Sequence, residues 1–491
     1  MAARFNGTTS AKVDSVTTAR IPWSHGAHAR RSAVGRVCRK GSTLADNETK
    51  DTGADEQVAE PETTGPEGPG EKPGKLSRTV KVLGLVSLFT DASSEMIYPL
   101  LPIFLTSVLG ASAVFLGVIE GVAEGTASIL KGFSGYFSDK LGKRKALIFA
   151  GYGLSTIAKP FFAASDAIWQ VLVVRFVDRV GKGIRTAPRD AMISETTEPE
   201  IRGKAYGFHR AMDTMGAVIG PGIAFLMMYL LRGQGNSAYR WVFLAALVPS
   251  LVAMVLIVFV LREKVPEGKA HFPGLHLSGF SHNYRMLLVV VAVFTLGNSS
   301  DAFLLLRAQN LGMKAYIIPL AWMVFNIVYS ATSTPGGMLS DRIGRKKTLM
   351  LGFVLYALVY LGFGFAHRLV YIWLLFAVYG LFYGLTQGCL SAYVADLAPG
   401  DMKGTAFGVY QTTDGVFKLL ASVLFGVLWA SSKANGPTIA FIFGGAMALT
   451  AAVLLWRFCA DCPRQTSEDS VEEPVDDAAH ERVVLGPHGR A

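Results

Sequence analysis

The chain has 491 residues, of which 51% are hydrophobic and only 17% are charged, whereas an average soluble domain is about a quarter charged. This balance excludes an ordinary soluble protein and predicts an integral membrane protein. The formal net charge of +10 does not indicate a nucleic-acid partner, because the basic residues fall in short clusters between apolar segments and in the first forty positions.

Two polar segments precede the apolar part of the chain. Residues 1–40 hold eight Lys or Arg and one acid, Asp14, which resembles an organelle transit peptide, a disordered extension being the alternative. Residues 41–77 form an acidic linker rich in Pro, Gly, Thr and Glu, and residues 461–491 an acidic tail. Such segments bury too little apolar surface to offset chain entropy and are predicted to be disordered.

Between these ends lie twelve apolar segments, each long enough to cross the roughly 30 Å hydrocarbon core that about 20 helical residues span. Six lie within residues 78–262 and six within residues 286–460, with a central cytoplasmic loop at 263–285. The predicted spans are 82–108, 112–136, 146–164, 168–190, 205–231, 241–261, 286–309, 315–338, 348–366, 370–395, 405–430 and 437–458. The sequence therefore predicts an all-α, multi-pass membrane protein.

Lys and Arg are concentrated in the loops that follow the even-numbered spans. Lys143, Arg144 and Lys145 follow span two, and Arg345, Lys346 and Lys347 follow span eight. Since short basic loops stay on the cytoplasmic side, both termini are predicted to face the cytoplasm. The membrane is the plasma (inner) membrane, or an organelle membrane if residues 1–40 are a transit peptide.

The sequence repeats itself at an offset of about 200 residues. The loop after span two contains Gly135, Asp139, Lys140, Gly142, Lys143 and Arg144, and the loop after span eight contains Gly337, Asp341, Arg342, Gly344, Arg345 and Lys346. Asp213 in span five recurs as Asp414 in span eleven, and a weaker match pairs the Ser-Ser-acid segments that end at Glu95 and Asp301. Matches in register predict two six-helix halves of common origin.

The duplicated Gly-x-x-x-Asp-[Arg/Lys]-x-Gly-[Arg/Lys]-[Arg/Lys] loop is similar to the motif between spans two and three of the major facilitator superfamily. The resemblance implies two pseudo-symmetric six-helix bundles, a small-molecule substrate moved by alternating access, no cofactor and a monomer. It also implies that Asp139 accepts hydrogen bonds from a span-four base, Arg185 or Arg189, beside the N-terminus of span eleven. Asp341 would act likewise in the other half.

Two further segments resemble motifs of this family. Gly216, Gly220 and Pro221 in span five look like the motif of the family's antiporters, which favours export. The segment from Arg175 to Gly181 resembles an Arg-x-x-Gln-Gly pattern, with Asp178 in place of Gln and Arg179 in place of Gly. These departures prevent a direct transfer of that motif's proton role.

Charged residues inside the predicted spans are the candidate site, because an ionised side chain at the bilayer centre costs about 2.5–3.5 kcal/mol and usually faces a cavity or a partner. We expect substrate binding or proton coupling at Asp91, Glu95, Glu120, Glu124, Arg175, Asp178, Arg179, Arg210, Asp213, Asp301 and Asp414. Nearby buried carboxylates disfavour each other's charge, so one can hold and release a proton. The alternative is structural pairing with the basic stripe of span four.

The leading hypothesis is a secondary transporter working by proton-coupled efflux or antiport. Proton- or sodium-coupled uptake and a non-transporting receptor or assembly factor are the alternatives. No enzyme is expected, since there is no ATP-binding Gly-x-x-x-x-Gly-Lys loop and no recognisable set of nucleophile and base. Four scattered cysteines predict no metal site. An organic anion, a metal or its chelate, and an amphipathic drug remain open as substrates.

Overall fold

The computed structural model describes residues 76–141, 143–262, 279–399 and 402–459. The predictions for residues 1–75, for 263–278 within the central loop and for the acidic tail from residue 460 lie outside these ranges. So do the side chains of Tyr136, Phe137, Asp139 and Glu200. The statements below concern the described residues.

Twelve helical stretches, numbered here in chain order, make up the described part of the protein, which contains no strand. The first half contains α1 (Arg78–Ile97, continued by Leu101–Ile103 and Phe104–Val108), α2 (Ala113–Leu141), α3 (Arg144–Ala164), α4 (Ile168–Glu195), α5 (Arg202–Leu230) and α6 (Ser237–Ala245, continued by Leu247–Val255 and Leu256–Val260). The second contains α7 (His282–Gly297, continued by Ala302–Asn310), α8 (Ile318–Ile343), α9 (Arg345–Phe365), α10 (Leu369–Leu397), α11 (Lys403–Ala430) and α12 (Gly436–Phe458). The predicted all-α fold is confirmed.

Nine of the helices in the described ranges are long and apolar enough to cross a membrane. The other three, α1, α4 and α8, interrupt their apolar sequence with polar residues. In α4 these include Arg175, Asp178, Arg179 and Lys182. Charge of this kind is tolerable inside a bundle only where it faces a partner or water, so these helices line the interior.

The two halves repeat the same helix pairs. In the first half α1 packs on α5, α2 on α4, and α3 on α4 and α6; in the second α7 packs on α11, α8 on α10, and α9 on α10 and α12. The halves meet where α2 packs on α11 and α5 on α8. This arrangement matches the pseudo-symmetry that the sequence repeat predicts.

Both α1 and α7 are interrupted near their middle, at residues 98–100 and 298–301. In α7 the backbone groups released by the break find new partners: Ser300 N–H donates to Ser422 Oγ (3.2 Å), and Gly297 O accepts from Tyr356 Oη (3.0 Å). Breaks in membrane helices are tolerated when neighbouring helices satisfy the backbone in this way. The breaks lie beside Glu95 and Asp301 and so shape their surroundings.

The end of the bundle opposite the basic loops is closed. There Leu101–Ile103 of α1 packs on Ala302–Asn310 of α7. Gln309 Nε2 donates to Ser107 Oγ across the two halves (2.6 Å), and the ring of Phe303 lies 4.8 Å from that of Phe425. A cavity between the halves must therefore open at the end of the bundle that carries the basic loops, which the sequence predicts to be cytoplasmic.

The Gly216 and Gly220 motif is a helix-packing surface. A Cβ at Gly216 would lie 2.3 Å from Leu88 O, and one at Gly220 would lie 2.4 Å from Ala92 O. Real Cβ atoms do not approach a carbonyl oxygen so closely, so α5 must carry glycine to lie against α1. The motif thus fixes the contact between two helices that carry candidate site residues.

We predict that Gly216→Ala destabilises the protein by about 1–3 kcal/mol, because the added methyl group overpacks the α1–α5 contact. Gly207→Ala, on the same helix, is the matched control, since nothing lies within 4 Å of its added Cβ. Thermal unfolding of the two variants in detergent measures the difference. An equal melting temperature for both would contradict the assigned contact.

Candidate functional site

Two connected spaces lie between the halves. The cytoplasmic cavity has a volume of about 390 Å³, and Lys131, Arg189 and Leu390 on its wall lie near the cytoplasmic ends of α2, α4 and α10. The smaller inner pocket has a volume of about 190 Å³. Its wall includes Glu95, Tyr98, Arg179, Lys182, Asp301 and Trp322. Lys182, Glu124, Asn298, Tyr383 and Lys418 line both spaces, which therefore form one path toward the cytoplasm.

A buried charge network occupies the first half; it consists of Glu120, Glu124, Lys159, Arg175, Asp178 and Arg179. Its strongest contact is bidentate: Arg175 Nε donates to Glu120 Oε1 (3.1 Å) and Arg175 Nη2 donates to Glu120 Oε2 (3.0 Å). Glu120 is fully buried and also accepts from Ser300 Oγ of α7 (3.3 Å). Paired charge-assisted bonds of this type hold the guanidinium in one orientation.

The remaining members complete the network. Arg179 Nη1 lies 3.5 Å from Glu124 Oε1, and Arg179 Nε lies 3.8 Å from Asp178 Oδ2. Lys159 of α3 is buried, donates to Ser94 Oγ (3.1 Å) and acts electrostatically on Asp178. Three cations and three carboxylates balance one another. The structure therefore places Glu120 and Glu124 on span-four cations, which is the pairing alternative raised above.

Asp91 and Asp213 form a different kind of pair. Their carboxyl groups, on α1 and α5, act on each other electrostatically and both line the cytoplasmic cavity. Asp213 also accepts from Ser87 Oγ (2.8 Å) and lies 3.4 Å from Arg210 Nη1. Two neighbouring carboxylates disfavour each other's charge, so one member of such a pair is suited to bind a proton.

Asp414, the repeat counterpart of Asp213, has other partners. Lys418 Nζ lies 2.8 Å from Asp414 Oδ2, and Ser128 Oγ and Thr295 Oγ1 donate to its carboxylate at 3.4 and 3.3 Å. The duplicated aspartate is thus neutralised by a lysine in the second half. In the first half it faces a second acid.

Glu95 and Asp301 are held by aromatic donors. Trp322 Nε1 donates to Glu95 Oε2 (2.6 Å), and Tyr379 Oη and Tyr383 Oη donate to Asp301 Oδ1 at 2.6 and 3.4 Å. Among the described residues neither carboxylate forms an ion pair. Both line the inner pocket, as their repeat-related positions on α1 and α7 require.

The cytoplasmic loops differ from the expectation in one respect. We expected a base of span ten to bind Asp341, but α10 contains no Lys or Arg, and Asp341 accepts from Arg345 at the start of α9. Arg345 Nε also donates to Asp396 Oδ2 of α10 (3.3 Å). The prediction placed the acid in the loop and the base on α10. In the structure the base, Arg345, lies at the start of α9, and the acid, Asp396, lies on α10. The corresponding contact of Asp139 lies outside the described side chains.

The same ion pair occurs in the first half, where Arg144 at the start of α3 pairs with Glu195 at the end of α4. Both members are displaced by 201 residues from Arg345 and Asp396. The backbone explains why the motif has a glycine before Arg345. Gly344 has φ +96°, a left-handed conformation that favours glycine. The two span-four bases proposed for Asp139 have other contacts, Arg185 with Ser155 Oγ (2.7 Å) and Arg189 with Asp190 (2.9 Å).

Sequence reasoning missed two groups of site residues. Lys159 is the single charged residue in an otherwise apolar span. A charge in such a position indicates a buried partner or a site, and so could have identified it. The aromatic residues of the inner pocket, Tyr98, Trp322 and Tyr383, were missed as well. They lie on three different helices, α1, α8 and α10, so no spacing in the sequence connects them.

We predict that Glu120→Gln destabilises the protein by about 3–5 kcal/mol, because it leaves the Arg175 guanidinium buried without its counter-ion. Asp166→Asn is the control, since Asp166 forms an exposed pair with Arg240, and surface pairs contribute about 1 kcal/mol or less. Thermal unfolding in detergent compares the two. Equal losses would show that the Glu120 pair is not buried as described.

Known proteins show the same fold and sequence family. A sequence model of the Major Facilitator Superfamily matches residues 83–324 and 285–486. An MFS-type transporter of Methanocaldococcus jannaschii, MJ1317, is 37% identical over 391 residues, covering 78% of this chain and 96% of the relative. The inner membrane transport protein YajR of Escherichia coli is 24% identical, covering 85% of this chain and 89% of the relative.

Solved structures agree on the fold. A D-xylose–proton symporter superposes with a TM-score of 0.64 at 16% identity, covering 79% of this chain and 99% of the symporter. A likeness at this identity concerns the fold alone. The family match, the 37% identical relative and the twelve-helix architecture together lead to one conclusion: the chain belongs to the major facilitator superfamily and is an integral membrane transporter of that family.

Proposed function

We propose that this transporter exports a small solute in exchange for protons, and that the Asp91–Asp213 pair carries the proton. The observation that supports the proposal is the pairing of these two acids on the wall of the cytoplasmic cavity. Neighbouring carboxylates favour the binding of one proton, which is lost or gained as the surroundings of the pair change. Rocking of the two halves changes those surroundings.

The repeat supports the choice of this pair. Asp213 and Asp414 occupy equivalent positions, yet Asp414 has Lys418 as its counter-ion. A carboxylate that a lysine neutralises has little reason to bind a proton. Asp213 also has a cation beside it, Arg210, but it lies next to Asp91, which forms no ion pair among the described residues. Two neighbouring acids favour the binding of a proton, and this asymmetry supports proton exchange in the first half.

Cations surround the pair on several sides. Lys182 and Arg185 of α4 act electrostatically on Asp91, and Arg189 and Arg210 act on Asp213. Lys182 lines the cytoplasmic cavity together with the pair. Movement of α4 relative to α1 and α5 would alter how strongly these cations stabilise the ionised carboxylates. Proton release is coupled in this way to the change of conformation.

The direction of transport rests on the sequence motif of span five. Gly216, Gly220 and Pro221 look like the motif of the family's antiporters, and the structure places them where α5 crosses α1. These helices carry Asp213 and Asp91. A rigid crossing keeps the two carboxyl groups together while the halves move. The resemblance of the motif supports export with proton uptake from the opposite side.

We predict that Asp91→Asn abolishes flux driven by a pH gradient but leaves solute exchange at equal pH on both sides. An asparagine has nearly the same shape, can donate a hydrogen bond to Asp213, and removes the exchangeable proton. Proteoliposomes loaded with a metabolite extract, with and without an imposed pH gradient, reveal by mass spectrometry which compounds leave. Asp166→Asn is the control for a carboxylate far from the cytoplasmic cavity.

The contrary outcomes are distinct. If Asp91→Asn responded to the gradient as the unmodified protein does, the pair would not be the proton carrier. If the gradient drove the same compounds inward together with protons, the protein would be an uptake system. If no compound moved under any condition, the receptor alternative would be favoured.

A further inference from the structure

We propose that the inner pocket binds a small zwitterion, with an ammonium group at Glu95 and Asp301 and a carboxylate at Arg179 and Lys182. The inference deepens the proposed function and rests on it for the view that this pocket is the solute site. It arises from the lining of one small space, which in the described part of the chain holds two carboxylates without an ion pair, a lysine without a partner and an arginine with an unused N–H group.

The acidic wall lacks a counter-ion. In the described ranges, the hydrogen bonds to Glu95 and Asp301 come from the neutral donors Trp322, Tyr379 and Tyr383. Among the residues described, no Lys or Arg pairs with either carboxylate. Their positions are related by the repeat, so the two acids approach the pocket from α1 and α7, on opposite halves. A ligand ammonium between them would contact both halves at once.

Aromatic side chains line the same wall. Tyr98, Trp322 and Tyr383 all contribute to the inner pocket, and the rings of Tyr98 and Trp322 lie 5.2 Å apart. Aromatic rings beside carboxylates are favourable surroundings for an ammonium group, because the ring face attracts cations. They also accept the apolar part of an organic molecule.

The basic wall has unused hydrogen-bond donors. Arg179 is only 6% exposed, and its Nε has no hydrogen-bond partner. Its ion-pair distances of 3.5 and 3.8 Å to Glu124 and Asp178 exceed those of N–H···O bonds. Lys182, one helical turn further along α4, is exposed to the pocket, and its ammonium group has no partner in the described part of the chain.

The basic wall and the acidic wall interact electrostatically but form no ion pair with each other among the described residues. Arg179 and Lys182 contribute electrostatically to the surroundings of Glu95, yet neither forms an ion pair with it among the described residues. Lys418, the third cation of the pocket, is already paired with Asp414. A ligand carrying both charges would bridge the gap, whereas an anion or a cation alone would leave one wall uncompensated.

Three matched probes test the proposal: L-phenylalanine, phenethylamine and 3-phenylpropanoate. They share one phenyl ring and a short carbon chain, and carry both charges, only the ammonium, or only the carboxylate. Isothermal titration of the purified full-length protein in detergent measures binding at equilibrium. We expect phenylalanine to bind at least about tenfold more tightly than either single-charge probe, since unpaired polar groups discriminate strongly.

Two variants assign the two ends of the ligand. Asp301→Asn should weaken the binding of phenylalanine and phenethylamine and leave the binding of 3-phenylpropanoate unchanged. Lys182→Gln should weaken the binding of phenylalanine and 3-phenylpropanoate and leave the binding of phenethylamine unchanged. Asp166→Asn is the control, and a cooperative thermal transition in each variant verifies that it is folded.

The proposal is overturned if either single-charge probe binds as tightly as phenylalanine, or if folded protein binds none of the three. Because titration uses no gradient, its failure is separate from a failure of proton coupling. Gradient-driven flux without zwitterion binding would contradict the ligand class alone. Zwitterion binding without gradient-driven flux would support the ligand class and contradict the proton-driven mechanism.

Discussion

The need to balance charge inside a lipid-enclosed bundle governs this structure. An uncompensated ion away from water is costly, and the six-member network of α2, α3 and α4 meets that cost by balancing three cations with three carboxylates. Glu120 and Arg175 are thereby committed to structure. The groups available for chemistry are those that the network leaves unbalanced, namely the Asp91–Asp213 pair, the aromatic-bound acids Glu95 and Asp301, and Lys182.

The sequence duplication accounts for the arrangement of the helices, and the charged residues that differ between the two halves account for the site. The repeat preserves the helix pairs, the acid that ends each Ser-Ser segment, and the ion pairs Arg144–Glu195 and Arg345–Asp396. It does not preserve the surroundings of the duplicated aspartate: Asp414 pairs with Lys418, whereas Asp213 pairs with Arg210 and also lies next to Asp91. Under the proposed mechanism, this asymmetric set of charges on a symmetric scaffold lets one half exchange a proton while the other does not.

Much of the fold could be predicted from the sequence, because lipid imposes a length and a composition on every span. The repeat likewise predicted the pairing of the halves. The breaks in α1 and α7 were not foreseen, since they depend on partners such as Ser422 and Tyr356 that are distant in sequence. The prediction that a base of span ten binds Asp341 was wrong, because a resemblance suggests a residue's role without showing which neighbouring helix supplies its partner. The aromatic residues of the inner pocket were missed because they lie on three helices that are distant in sequence.

The contacts between the two halves have a common chemical character. The ion pairs described above all lie within one half, whereas the halves are joined by bonds with a neutral partner, such as Ser300 to Glu120, Trp322 to Glu95 and Gln309 to Ser107. Among these described contacts, separation of the halves therefore breaks hydrogen bonds but no ion pair. A hydrogen bond between neutral groups contributes about 1 kcal/mol net, and one to a charged group about 1.5–3 kcal/mol, because water replaces the lost partner. In the described part of the chain, the cost of separating the halves therefore lies in rehydrating and repacking these groups rather than in breaking ion pairs.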